Sequence, residues 1–249
     1  MTVNNKTIIL TGAGGGMGKE TAALLLEKGA NVVGCDRNIA ALQDLQTNEK
    51  FLAVEGDLLD ETVVATVFQK ANDQFGSVDG LANILGIAQS ATPIEEVTFD
   101  QYHQLMDINM GSVFLTCREA AKYMKAQENG RIVNVGSVAT TRPRPGLQAY
   151  VASKGAVETF SKALALELAS NHINVNVLHP GPADTSMLGE FSGEGKNVAE
   201  DRKEIFEKSV PLGKLLQPNN IADAVAFLLS DEAEMITGSV LHVDGGRSI

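Results

Sequence analysis

Tyr150 and Lys154 stand four residues apart in Tyr150-Val151-Ala152-Ser153-Lys154, a spacing that puts a phenol and an ammonium one turn apart on a single helix face. A free phenol ionises near pH 10 and is a poor base at neutral pH. An ammonium beside it, together with an oxidised nicotinamide, favours the phenolate and brings the group towards a working range for proton transfer. An isolated Tyr/Lys pair would more often be plain helix surface; Ser137 changes that weighing. It follows the apolar run 131–135, 13 residues before Tyr150. A hydroxyl there can both donate to and accept from a substrate oxygen. The chemistry these three side chains could do is movement of a proton on and off an alcohol oxygen.

A second set could hold the electron carrier. Thr11-Gly12-Ala13-Gly14-Gly15-Gly16-Met17-Gly18 lies between the first apolar run and the first helical pattern. Glycines there permit a tight turn and bring backbone N–H groups at the positive helix end up to a pyrophosphate. Glycine spacing alone is a weak signal. Asp36, at the end of the second run and 18 residues beyond Gly18, strengthens it, since a carboxylate there accepts hydrogen bonds from a ribose diol. A phosphate on that ribose would meet the charge of Asp36, at a cost on the order of 4 kcal/mol for ~4 Å and an effective dielectric constant of ~20. NAD is therefore expected over NADP, with Arg37 as the counterweight, because a guanidinium beside the ribose offsets the repulsion. Asp57, just after the third run, is a candidate partner for the adenine amino group and equally a turn carboxylate.

These residues need elements to position them. Apolar runs at 7–10, 31–35, 51–54, 80–84, 131–135, 174–178 and 240–243 alternate with helical patterns at 18–28, 39–45, 61–75, 99–125, 148–170 and 219–229. Most of the runs are continuous, not alternating, as in strands covered on both faces of a parallel sheet. Strand–helix alternation needs right-handed crossovers, which put helices on both faces. The expectation is one doubly wound α/β domain over 1–249, with no repeat or linker dividing it. Asp60 and Thr98 read as helix N-caps, Pro218 as the entrance to the last helix, and Gly29 and Gly130 as left-handed helix ends. The polar stretch 184–208 breaks the rhythm after a strand and reads as a cover over the site, with Met187, Leu188 and Phe191 facing an apolar substrate body.

Composition narrows the classes. The chain has 249 residues, with 20 Lys plus Arg against 31 Asp plus Glu, a net charge of −11. That balance disfavours nucleic acid and anionic membrane surfaces as partners. No apolar run approaches the ~18–20 residues of a membrane span, and the first residues lack a signal-peptide core. Cys35 and Cys117 form neither a disulfide framework nor a metal cluster, and His103, His172, His179 and His242 show no ligand spacing, so no metal is expected. A cytoplasmic location is the default.

The glycine turn, Ser137, Tyr150-x-x-x-Lys154, Pro180-Gly181 followed by Thr185, and the ending Val243-Asp244-Gly245-Gly246 together resemble the short-chain dehydrogenase/reductase family, from about Lys6 to the C-terminus. The resemblance implies a Rossmann domain with a seven-stranded parallel sheet, assembled as a homotetramer or homodimer through the long helices 99–125 and 148–170. It implies Tyr150 as general acid/base, Lys154 lowering its pKa and bonding the nicotinamide ribose, and Ser137 holding the substrate oxygen. Asn109 would anchor a water leading from Lys154. Gly12, Gly16, Met17 and Gly18 would line the pyrophosphate, Pro180–Gly181 would border the nicotinamide, and Thr185 would bond its phosphates or carboxamide. The family's Asn-Asn-Ala-Gly reads Asn83-Ile84-Leu85-Gly86 here. Asn83 and Gly86 would keep the sheet amide and the ribose approach, while Ile84 and Leu85 change the wall between them.

The pattern is similar to the 3-oxoacyl-carrier-protein reductases within that family. Their basic docking stretches read Gln127-Glu128-Asn129 and Ser170-Asn171 here, and Asp36 disfavours their usual NADP. The expected activity is NAD-dependent interconversion of a small secondary alcohol and a ketone. The alternatives are NADPH-dependent acyl-carrier reduction and a non-catalytic NAD-sensing regulator. Arg142 and Arg144 flank the loop after Ser137; a solvated loop or subunit contact is the preferred reading, and a site for a substrate carboxylate the other.

Overall fold

A computed structural model describes residues 1–191 and 208–249. Seven strands, β1 (Thr7–Thr11), β2 (Asn31–Asp36), β3 (Phe51–Glu55), β4 (Gly80–Asn83), β5 (Gly130–Val135), β6 (Ile173–Pro180) and β7 (Val240–Val243), form one sheet. Their order is β3-β2-β1-β4-β5-β6-β7, and every pairing is parallel. The order reverses between β1 and β4, which opens a crevice at their carboxyl ends.

Both faces are covered, which is why the strands read as continuous apolar runs. On β1, Ile8 and Leu10 enter one core with Leu25 and Leu26 of α1 (Gly16–Glu27) and Ile221 and Val225 of α6 (Pro218–Leu228). Ile9 enters the other core with Phe68 of α2 (Glu61–Phe75), Val113 and Met124 of α4 (Ser112–Gln127) and Val157 of α5 (Gln148–Leu168). Asp60 caps α2 by accepting from the Thr62 N–H at 2.8 Å. Thr98 opens α3 (Phe99–Met106) with a reciprocal capping box to Gln101.

Three expectations are corrected. The pattern at 39–45 forms two single 3-10 turns, Ala40–Leu42 and Leu45–Thr47. Of these residues only Leu42 is buried, and Asn38 Oδ1 accepts the Ala40 N–H at 3.0 Å, so a costly helix nucleus gains too little packing. The stretch 99–125 is not one regular α-helix but α3 and α4 joined by a π turn at Asp107–Gly111. Gly130 does not end a helix: Glu128 takes the left-handed position after α4 (φ 53°), and Gly130 starts β5. It is glycine there because a Cβ would come within 2.4 Å of Met124 Sδ.

Candidate active site

The turn after β1 is built by close backbone approach. Gly12 has φ +67°, and a Cβ on it would stand 2.8 Å from the Leu85 N and Cα. A Cβ on Gly18 would stand 2.0 Å from the Gly12 carbonyl oxygen. The turn is thus wedged between α1 and the end of β4. Gly15 is extended at the α1 N-cap, with no side-chain cap and no acid in the first turn, so the first N–H groups of α1 stay available to an anion. Asp36 lies beside them, its Oδ2 accepting from the Gly14 N–H at 2.9 Å and its Oδ1 from Asn38 at 3.0 Å. A Cβ on Gly14 would crowd that carboxylate at 3.2 Å. This glycine-lined cradle with one flanking carboxylate fits the pyrophosphate and ribose of a dinucleotide.

Asp57 accepts from the Leu59 N–H at 3.0 Å and stands 3.8 Å from Arg37 Nε, so it caps a turn and draws the guanidinium to itself. Thr185 comes within 3.7 Å of where a Gly16 Cβ would sit. Gly181 lies against Asp244, whose Cα would be 2.7 Å from a Cβ there, which fixes Pro180–Gly181 at the joined ends of β6 and β7.

The reactive cluster sits in the same crevice. Met17, Ile84, Gly86, Ser137, Tyr150, Lys154, Pro180, Gly181 and Thr185 all line a space of about 900 Å³, its open mouth included. Ser137 caps the 3-10 turn Val138–Thr140 by accepting the Ala139 N–H at 3.1 Å. Tyr150 is 6 % exposed, with the Phe191 ring edge-on at 5.1 Å. Lys154 is 4 % exposed and donates to the Val135 carbonyl at 2.9 Å. A Cβ on Gly86 would stand 3.0 Å from Lys154 Nζ and 3.1 Å from Asn109 Oδ1, so these two side chains meet over that glycine.

Asn109 lies in the π turn and is wholly buried. Its Oδ1 accepts from the Ile87 N–H at 2.8 Å, and its Nδ2 donates to the Ile87 carbonyl at 3.1 Å and to Ser153 Oγ at 3.0 Å. It ties the segment after β4 to α5. Asn83 is part of a buried polar ladder: it donates to Asn134 Oδ1 at 2.8 Å and accepts from Thr116 at 2.9 Å, while Asn134 donates to Ser161 at 2.9 Å. The departure at Ile84 and Leu85 is absorbed by geometry, since Leu85 packs into the core that holds Ile9 and Ile84 lines the crevice.

Among the chain's own groups, burial raises the Tyr150 phenol above its usual pKa, partly opposed by the Ser137 hydroxyl. Burial also lowers Lys154, from 10.5 to about 8. An ammonium removed from water loses hydration, and one carbonyl does not replace it. The folded pKa lies below the unfolded one, so the unfolded chain binds the extra proton between about pH 8 and 10.5. Stability should therefore rise with pH across that window in wild type and rise less in Lys154→Met. The difference is on the order of 3 kcal/mol at most, read from urea unfolding at pH 7.5 and pH 10. Parallel curves for the two proteins would contradict it.

Three residues outside the reacting set complete the picture. Cys35 and Cys117 are buried thiols pushed up to about 12, chiefly by desolvation, and are not nucleophiles. Arg247 escaped sequence reasoning: it lines the crevice beside Arg142 and Arg144, and a lone basic residue after two glycines gave no signal of that. Arg142 is exposed and Arg144 half-buried, and both wall the crevice. Phe191 ends the described part of the expected cover, of which 192–207 lie outside the described residues. No helix among the described residues is long and apolar enough to cross a membrane.

Comparison with known proteins agrees with this geometry. Residues 12–248 match the family model described as enoyl-(acyl carrier protein) reductase. The chain is 33% identical over 247 residues to the cis-4-hydroxycyclohexanecarboxylate dehydrogenase of Sinomonas cyclohexanicum, covering 97% of this chain and 96% of the other. It is 35% identical over 250 residues to a 3-oxoacyl-[acyl-carrier-protein] reductase of Vibrio cholerae, covering 99% and 98%. The crystal structure of 3-ketoacyl-(acyl-carrier-protein) reductase from Brucella melitensis complexed with NADH superposes with a TM-score of 0.92 at 36% identity, covering 99% of this chain and 100% of that one. With the sheet order, the glycine turn and the Ser137/Tyr150/Lys154 crevice, matches of this extent make the chain a member of the short-chain dehydrogenase/reductase family of oxidoreductases.

Proposed function

We propose that the protein is an NAD(H)-dependent oxidoreductase that interconverts a small secondary alcohol and a ketone. The observation that carries this reading is the joint lining of one crevice by Ser137, Tyr150 and Lys154 at the carboxyl ends of β4, β5 and β6. The chemistry supplied by a bound dinucleotide is acceptance or donation of hydride at the carbinol carbon. Everything else falls to the chain. Ser137 holds the substrate oxygen, and Tyr150 takes its proton in oxidation and returns it in reduction. The raised phenol suits the reducing direction from the chain's own groups alone, since it stays protonated at neutral pH. Lys154 bonds the nicotinamide ribose, and Asn109, holding the segment at Ile87 to α5, anchors the proton path that leads away from Lys154. Gly12, Gly16, Met17 and Gly18 border the pyrophosphate, Thr185 and Pro180–Gly181 the nicotinamide end, and Asn83 and Gly86 support the ribose wall.

Asp36 supports NAD over NADP, and Arg37, turned to Asp57, offers little to offset it. Asp57 remains the candidate at the adenine. The Brucella melitensis neighbour binds NADH, which agrees with this preference. A small substrate is favoured over a carrier-bound one because Gln127 is committed to the Val78 backbone at 3.0 Å in both directions and Glu128 ends α4, which leaves no cation at that position. The family match and the Vibrio cholerae relative favour a second reading, NADPH-dependent reduction of a 3-oxoacyl carrier-protein thioester.

We also infer one domain over 1–249 whose segment 184–208 covers the substrate, and a homotetramer or homodimer in the cytoplasm. Phe114 on α4 and Leu166 on α5 are large exposed apolar side chains on the two helices proposed to pair.

The test is a panel of secondary alcohols, hydroxy acids, sugars and steroids with NAD, and of ketones and acetoacetyl thioester with NADH and NADPH, read by nicotinamide absorbance. Turnover of a small alcohol with NAD supports the reading; turnover of only the thioester with NADPH replaces it with the second. Gly18→Ala, whose Cβ meets the Gly12 carbonyl, is expected to cost about 1–3 kcal/mol of stability and to weaken NADH binding about tenfold. Unchanged calorimetric affinity would remove the turn from the pyrophosphate site.

A further inference from the structure

Arg142, Arg144 and Arg247 line the same crevice as Tyr150 and Ser137, and among the described residues no Asp or Glu lines it. The three arrive from distant parts of the chain. Arg142 and Arg144 follow the 3-10 turn capped by Ser137, and Arg247 follows β7. Two are held in place by backbone: Arg142 Nη1 donates to the Arg247 carbonyl at 3.1 Å, and Arg247 Nη1 donates to the Ser209 carbonyl at 3.1 Å. Arg247 is only 8 % exposed. The Asp244 carboxylate, close to it in sequence, accepts the N–H groups of Gly246 at 2.9 Å and Ser248 at 2.8 Å, and so shapes the turn that presents Arg247.

Gathering guanidinium groups costs free energy. Burial lowers the pKa of Arg247, and the charges of Arg142 and Arg144 lower it further, partly opposed by Asp244; burial also lowers that of Arg144. The assembly persists in a chain whose net charge is −11. The planar fork of arginine suits a carboxylate or sulfonate. Val138, Leu147, Leu188 and Phe191 add apolar wall to the same crevice. The crevice therefore combines cationic, apolar and proton-transferring groups.

We propose that the substrate is an organic anion: a compact, apolar secondary alcohol or ketone whose carboxylate or sulfonate is held by Arg142, Arg144 and Arg247 while its oxygen faces Ser137 and Tyr150. The placing of the oxygen rests on the reaction proposed above; the anion site does not.

The test is calorimetric titration of butyrate, cyclohexanecarboxylate, benzoate and benzenesulfonate, each beside its uncharged amide, into the full chain with and without NADH. At least one acid is expected to bind about tenfold or more tightly than its amide, and the carboxylate and sulfonate arms show which oxyanion the arginines prefer. Arg144→Gln and Arg142→Gln are each expected to weaken that acid about tenfold, with Arg144→Lys weakening it less, while NADH affinity stays unchanged. Circular dichroism and melting confirm that each variant is folded; Arg144→Gln leaves the Arg142 bond to the Arg247 carbonyl in place. Acids binding no better than amides would overturn the proposal, as would an acid affinity indifferent to both arginines. A fall in NADH affinity parallel to that of the acid would also overturn it, because the cluster would then serve the dinucleotide phosphates. Should acids bind as expected while no alcohol or ketone in the activity panel reacts, the reaction assignment falls and the anion site stands.

Discussion

Tyr150→Phe is expected to lower turnover roughly a thousandfold, within the range that positioned proton transfer contributes, and to leave NADH affinity within about twofold. The change removes one oxygen from a buried ring. The Tyr150 N–H keeps its bond to Gln89 at 2.9 Å, and the ring keeps its edge contact with Phe191. The hydroxyl's partner among the chain's own groups is the Ser137 side chain. What is lost is the group that moves the proton. NADH fluorescence titration and steady-state rates separate the two effects. Retention of more than about a tenth of the activity would take Tyr150 out of its role, since that is smaller than any general acid–base contribution.

The second large effect belongs to the coenzyme. Asp36→Asn removes the charge and keeps one side-chain oxygen, enough for one of the Gly14 and Asn38 N–H groups that the two carboxylate oxygens now accept. A 2′-phosphate a few ångströms from Asp36 meets a repulsion on the order of 4 kcal/mol. The ratio of kcat/KM for NAD to that for NADP is therefore expected to fall by up to about a thousandfold. The larger part should appear as improved use of NADP, because the amide still accepts a hydrogen bond from the ribose. An unchanged ratio would mean that Asp36 does not face that ribose and would reopen coenzyme choice.

Much of this was legible in the sequence. The central strands could be read because they are buried on both sides, so apolar runs mark them directly; β7, at the sheet edge and only partly buried, also has the predicted bounds Val240–Val243. The caps at Asp60 and Thr98 were legible because capping is local chemistry. The π turn at Asp107–Gly111 was not, since its register is set by Asn109 reaching Ile87 and Ser153, contacts remote in sequence. Gly130 misled for a similar reason: its missing Cβ makes room for Met124, not for a left-handed turn.

The site divides in the same way. Ser137, Tyr150 and Lys154 have spacings that reflect strand ends and helix turns, so their convergence could be foreseen. The shifts set by burial could not, because they depend on how far each group is withdrawn from water: burial raises the phenol and brings Lys154 down to about 8. Arg247 was invisible for want of any local pattern. It reaches the crevice only because the last turn folds back beside Ser209 and Arg142.

The most direct test of the central claim is isotopic. A secondary alcohol found to turn over is labelled with deuterium at its carbinol carbon and incubated with the enzyme and NAD, and the products are weighed by mass spectrometry. Hydride transfer in the glycine-lined crevice should place one deuterium in NADH for each ketone formed, with none in Tyr150→Phe reactions run for the same time. Ketone appearing without label in the nicotinamide would contradict the assignment.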